Sequence, residues 1–243
     1  MSIADSTVIP GLRRAVGLAD LCELLAATFA FPDNGRLAVA LASGDYLSDA
    51  LGCLADAGFT GSAARDMCRE LKVFIGRGEA ELAQNLRRGH SLLFLSPAHG
   101  GPIWPYEGAF RFASTGTSET PSLFRSPVTL QVERDMSEAG LLPTTARTEP
   151  IDSVWGELGF LSRLYGHQAQ ELARGRDDPG EGAAWARRAA SFTREHTALW
   201  LPDFMEHVRC RAESGDLPHG TEYAALARFG GAAVRVLADG NAP

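Results

Sequence analysis

The chain predicts an all-α protein, and three observations predict it. Apolar residues recur at three- and four-residue intervals through most of its length. No long stretch alternates apolar with polar residues, and valine and isoleucine, common strand formers, are few. Helix-ending clusters such as Pro32-Asp33-Asn34-Gly35 separate the periodic stretches. Together they predict one globular helical domain over residues 1–243, of about nine to eleven helices. Polar links near 113–121 and 143–149 join its parts.

In residues 10–31, Leu12, Val16, Ala19, Leu21, Leu24, Leu25 and Thr28 fall near the 3.6 period and form the first helix. Asp33 or Asn34 can cap the next one. Residues 34–43 and 45–57 read as two short helices divided at Ser43-Gly44-Asp45. Residues 61–76 form another, turning Ala64, Met67, Cys68, Leu71, Val73 and Phe74 inward. After a glycine turn, Glu79 and Glu81 suit the positive end of a helix running to Leu95.

Residues 90–112, HSLLFLSPAHGGPIWPYEGAFRF, are the stretch around which the chain is organised. The apolar helix end breaks at Pro97, Gly100, Gly101, Pro102 and Pro105, so the segment reads as a loop. That loop carries Ile103, Trp104, Tyr106 and Phe110. Such a surface is either pinned to the core by its aromatics or held out as a recognition loop.

Residues 113–121 read as exposed and mobile, with Leu123-Phe124 as a hydrophobic anchor behind them. Ser126-Pro127 opens a helix to Ala139, with Val128, Val132, Asp135 and Met136 on one face. Glu149-Pro150-Ile151-Asp152 opens the most regular helix, whose apolar face holds Ile151, Val154, Trp155, Leu158, Leu161, Leu164, Tyr165 and Leu172. Gly175 and Asp177-Asp178-Pro179-Gly180 separate it from the next. There Trp185, Ala189, Phe192, His196 and Leu199 share a stripe. Pro202 interrupts that helix, and Phe204, Met205 and Val208 continue the burial. Residues 220–238 form the last helix, with Tyr223, Leu226, Phe229, Val234 and Leu237.

Composition narrows the function. Cys22, Cys53, Cys68 and Cys210 make no CxxC pair and read as reduced hydrophobes, which suits the cytoplasm. No basic-then-apolar leader opens the sequence, and no apolar run reaches the length of a membrane span. A net charge of −7 argues against nucleic acid and suits a basic partner. The histidines make no HExxH and no phosphate loop is present, so neither metal nor cofactor is expected. His99-Gly100-Gly101 is similar to an esterase oxyanion segment, but the GxSxG elbow it needs is missing. No catalytic residue is assigned, and no enzyme is expected. His196, on an apolar stripe, reads as a hydrogen-bonded core histidine.

Three stretches in order carry a resemblance. They are LLFLSPAHGGPIWPYEGAF, then Glu149-Pro150-Ile151-Asp152 leading into GELGFLSRLYG, then SFTREHTALWLPDFMEHV with His196, Trp200 and Pro202. Their order and spacing resemble the TorD/DmsD/NarJ family of maturation chaperones for molybdenum-containing redox enzymes, over roughly residues 12–238. The resemblance implies a TorD-like, cytoplasmic, all-helical chaperone, monomeric or homodimeric. It would bind the apo catalytic subunit of a molybdoenzyme and, for many members, its twin-arginine signal peptide, until the cofactor is inserted. It places a client-binding groove at Leu93, Phe94, Tyr106, Glu107, Phe110, Glu149 and Asp152. Where the family often has Asp-His, this chain has Asp152-Ser153, which leaves Asp152 as the charge. Carboxylates pair with arginine in bidentate fashion, so Glu107, Glu149 and Asp152 suit a basic client segment. Helix capping explains Glu149 and Asp152 equally well, as core packing does Tyr106. A helical adaptor, or a small helical enzyme, fits the same helix pattern.

Overall fold

A computed structural model describes residues 3–98, 100–116, 119–144, 149–174 and 180–240. His99, residues 145–148 of the second polar link and the break at 175–179 lie outside them. Among the described residues there are eleven α-helices and no strand. They are α1 (Ile3–Phe29), α2 (Arg36–Ser43), α3 (Asp45–Asp56), α4 (Gly61–Met67), α5 (Glu79–His90), α6 (Glu107–Ala113), α7 (Pro127–Glu138), α8 (Val154–Arg174), α9 (Gly180–Phe192), α10 (Ala198–Glu213) and α11 (Glu222–Gly240). A 3-10 segment (Arg69–Phe74) follows α4. Two π turns, Ser91–Leu95 and Thr193–Thr197, extend α5 and join α9 to α10.

The apolar stripes dictate the packing. α1 lies along α8 and against α3, α8 packs on α9, and α10 packs on α11. Leu21, Leu25, Phe29, Leu158, Leu161, Leu164, Phe204, Leu226 and Phe229 are fully buried in one continuous core. Small residues set the closest approaches. Gly17 lets α1 meet the backbone at the end of α3, and a Cβ on Gly89 of α5 would sit 2.6 Å from Gly220 Cα. Gly44 has φ 90° and both ends α2 and starts α3, a conformation that glycine adopts without a Cβ penalty.

Four expectations are corrected. The aromatic loop ends at Tyr106, and residues 107–113 are helical. Tyr106 is extended (φ −130°, ψ 129°), and α6 is capped by a residue distant in sequence, described below. Pro202 lies inside α10. It stands one turn past the widened π segment, so the helix survives the loss of one donor there. The regular helix after Glu149 begins only at Val154, because residues 150–153 form a turn, and Ser153 is its cap. Its Oγ accepts from Gly156 N at 3.0 Å. Finally, Val73, Leu199 and Phe124 are exposed (62%, 53% and 48%) and are neither core nor anchor. No single helix among the described residues is long and apolar enough to cross a membrane.

Candidate functional site

The segment before α6 and the turn before α8 are brought together by backbone bonds. Tyr106 and Ser153 form an isolated antiparallel bridge. Glu107 N donates to Asp152 O at 2.8 Å, and Val154 N donates to Pro105 O at 3.0 Å. Each segment thereby satisfies the other's orphan end groups. Asp152 goes further: its Oδ2 accepts from Gly108 N (2.9 Å) and from Thr129 Oγ1 (3.0 Å). It therefore caps α6 across the fold and ties it to α7. A side chain on Gly108 would collide with Ser126 Oγ and Asp152 Oδ2, so the cap requires glycine there.

Beneath this junction lies a buried polar cluster. Glu107, fully buried, takes Arg111 Nη1 at 2.6 Å on one oxygen and His196 Nδ1 at 2.7 Å on the other. His196 Nε2 faces Asp135 Oδ2 at 3.2 Å. With a carboxylate on each nitrogen, the ring is held as the imidazolium. Burial disfavours that cation, but Glu107 and Asp135 outweigh it and raise the pKa. Glu157, also fully buried, accepts from Trp200 Nε1 at 3.0 Å. Burial, then the charges of Glu107 and Asp152, push its pKa well up, which favours the protonated acid. Burial likewise raises Asp152, against the bonds from Gly108 and Thr129, and raises Asp135. Among the described residues, Asp152 Oδ1 has no hydrogen-bond partner, and Glu157, beyond its bond from Trp200, has only the neighbouring Glu107 carboxylate, with which it pairs when it carries a proton.

The outer face of the junction is aromatic and half-buried. Tyr106 and Trp155 pack edge to face, ring centres 5.8 Å apart. Trp155 Nε1 donates to Glu149 Oε1 at 2.7 Å. Burial, then the charges of Glu149 and Asp152, raise the Tyr106 hydroxyl pKa. Pro143, Pro150 and Arg163 complete a shallow pocket with Glu149 and Trp155.

The expected client-binding residues thus separate by depth. Tyr106 and Glu149 are half-buried and reachable. Glu107 and Asp152 are buried (0% and 1% exposed), with their bonds made inside the chain. Leu93, Phe94 and Phe110 are buried below: Phe94 stacks on Phe204 (5.7 Å), and Phe110 packs on Trp200 (5.7 Å) and Phe204 (5.9 Å). His196 is a hydrogen-bonded core histidine, as its stripe implied.

Sequence reasoning placed Trp155 and Asp135 on helix faces without a role at the site, and it did not single out Arg111 or Glu157. For Glu157 a signal was there. It falls between Val154, Leu158 and Leu161 on the apolar face of α8, and an ionisable group on such a face needs a partner. Trp155 and Arg111 gave none, because their roles depend on neighbours set by the tertiary fold.

Residues 60–206 match the family model described as the nitrate reductase delta subunit. That span holds the aromatic loop, the capped turn and the buried cluster. No curated protein and no solved structure matches the chain.

Proposed function

The chain belongs to the nitrate reductase delta subunit family, chaperones of molybdoenzyme maturation, and from that premise we propose that it holds the apo catalytic subunit of a molybdopterin-containing oxidoreductase in the cytoplasm until its cofactor is inserted. It acts by binding, without catalysis. We further propose that the client presents a basic segment, such as a twin-arginine signal peptide, to the face made by Tyr106, Glu149 and Trp155.

The observation that carries this reading is the pairing of Glu149 with an aromatic wall at the reachable edge of the junction. A guanidinium can stack on such a wall and pair with the remaining carboxylate oxygen. Glu107, Asp152, Leu93, Phe94 and Phe110 serve the same face from beneath, by fixing α6 and the turn that present it.

Co-expression with the apo-subunit tests the client: the two should co-purify, and failure to do so removes the client. Calorimetry with the subunit's signal peptide tests the face. Glu149→Gln and Tyr106→Ala should each weaken binding, the former by about 2–5 kcal/mol if the pair is partly desolvated in the complex. A change under about 1 kcal/mol that vanishes in moderate salt would make Glu149 a surface neighbour only.

A further inference from the structure

α6 has only seven residues, lies between a proline- and glycine-rich loop and an exposed turn at residues 114–116, and is fastened chiefly at its first turn. The fastening is unusual in its chemistry. Three carboxyl groups, Glu107, Asp152 and Glu157, meet below that turn; Glu157 lies within hydrogen-bond reach of Glu107, a contact that needs a proton between them, and Asp152 Oδ1 lacks a partner among the described residues. The other charged groups facing the cluster are Arg111 of α6, Asp135 of α7, and His196 and Glu195 of the π turn. Arg111 and His196 supply two positive charges on Glu107. Without the proton on Glu157 and that on His196, the site would hold adjacent buried anions with too little to neutralise them.

We propose that α6 is a proton-controlled latch. The buried cluster of Glu107, Glu157 and His196 keeps it seated while Glu157 and His196 carry their protons, and releases it when they leave. Release lifts Phe110 off Trp200 and Phe204 and uncovers an aromatic surface at the base of the junction. The direction of the pKa shifts at Glu157 and His196 agrees with this: closure favours the protonated form of each, so opening discharges protons and is promoted as pH rises. As a means of admitting a client, the latch rests on the function proposed above. The opening itself does not.

Hydrogen exchange read by mass spectrometry on the full chain tests the opening alone, with no client present. Glu107 and Gly108 donate their amides to Asp152, so they report separation directly. After correction for intrinsic exchange, their opening should rise about tenfold per pH unit for each proton released, above neutral pH, while α8 and α11 stay protected. Glu157→Gln keeps an acceptor for Trp200 and mimics the protonated acid. It should leave α6 seated at alkaline pH and remove most of that dependence. Flat wild-type exchange of α6 from pH 6 to 9 overturns the proposal. So does a Glu157→Gln protein that folds and keeps the wild-type slope. Loss of α8 and α11 protection in step with α6 also overturns it, since that is global unfolding. If Glu157→Gln does not fold, the wild-type profile still decides. None of these outcomes bears on whether a client binds, which the co-purification reads.

Discussion

Trp200 shows how much one side chain can hold. It is fully buried, packs against Phe110 and Phe204, and donates to Glu157. Trp200→Ala should cost about 3–5 kcal/mol of stability, from the lost burial and the cavity. Trp200→Phe should recover most of the packing and still lose about 1–3 kcal/mol, because a buried acceptor is left without its donor. Urea denaturation of both variants checks this, and a Trp200→Phe protein as stable as the wild type would mean that the hydrogen bond contributes nothing. Trp155 stands in contrast. It is half-buried, its indole nitrogen serves Glu149, and its ring faces Tyr106. Trp155→Phe should change the melting temperature little and should impair client binding more than folding, which thermal melts beside calorimetry would separate.

At the scale of elements, two neighbouring residues cap two different helices. Ser153 caps α8 locally, whereas Asp152 caps α6 from 44 positions away. Ser153→Ala should cost about 1 kcal/mol of global stability, in the ordinary range for an N-cap. Asp152→Ala should act on α6 first, giving faster exchange at Glu107 and Gly108 before any loss of α8 protection. Equal exchange of α6 in both variants would contradict this division of labour. Close approaches set a second element-scale prediction. Gly17→Ala places a methyl against the backbone at the end of α3, where no flexible side chain can yield. It should cost about 1–3 kcal/mol or more by forcing α1 and α3 apart. Gly52→Ala, with open space around it, should not.

Over the whole molecule, buried ionisable groups make stability fall away on both sides of neutrality. His90 is buried, donates its Nε2–H to the Phe29 carbonyl, and leaves Nδ1 without a partner among the described residues. Burial lowers its pKa to about 4, against the bond to Phe29. The unfolded chain therefore takes up a proton first as pH falls below the ordinary histidine value. Stability present above about 6.5 is lost progressively down to about 4, by roughly 3 kcal/mol at the end of that window. Glu157 and His196 act in the opposite sense. Their raised folded pKa values mean that the folded chain keeps protons the unfolded chain has released, so their contribution declines as pH rises. Chemical denaturation across pH should give a dome. His90→Gln should flatten its acid limb and leave the alkaline limb in place. An unchanged acid limb in that variant would move its cause elsewhere.

The helices were legible because amphipathic periodicity is a local property, printed in the residues themselves: α1, α3, α7, α8 and α11 follow their apolar stripes. The family resemblance was legible too, in the order of the Pro-Tyr-Glu, Glu-Pro-Ile-Asp and His196–Pro202 stretches, and the match over residues 60–206 agrees with it. α6 was not legible. Seven residues with Gly108 among them and prolines ahead make a poor isolated helix, and the group that caps it arrives from another part of the chain. Nor was the depth of the site. Glu107, Glu149 and Asp152 are the same kind of group in the sequence, and each suits a basic partner. The tertiary fold alone put Glu149 at the surface beside Trp155 and turned Glu107 and Asp152 inward, where a histidine, an arginine and a helix end take up their charge. Side-chain chemistry travels with the residue, but dielectric and neighbours are conferred by what packs against it, and those come from segments dozens of residues away.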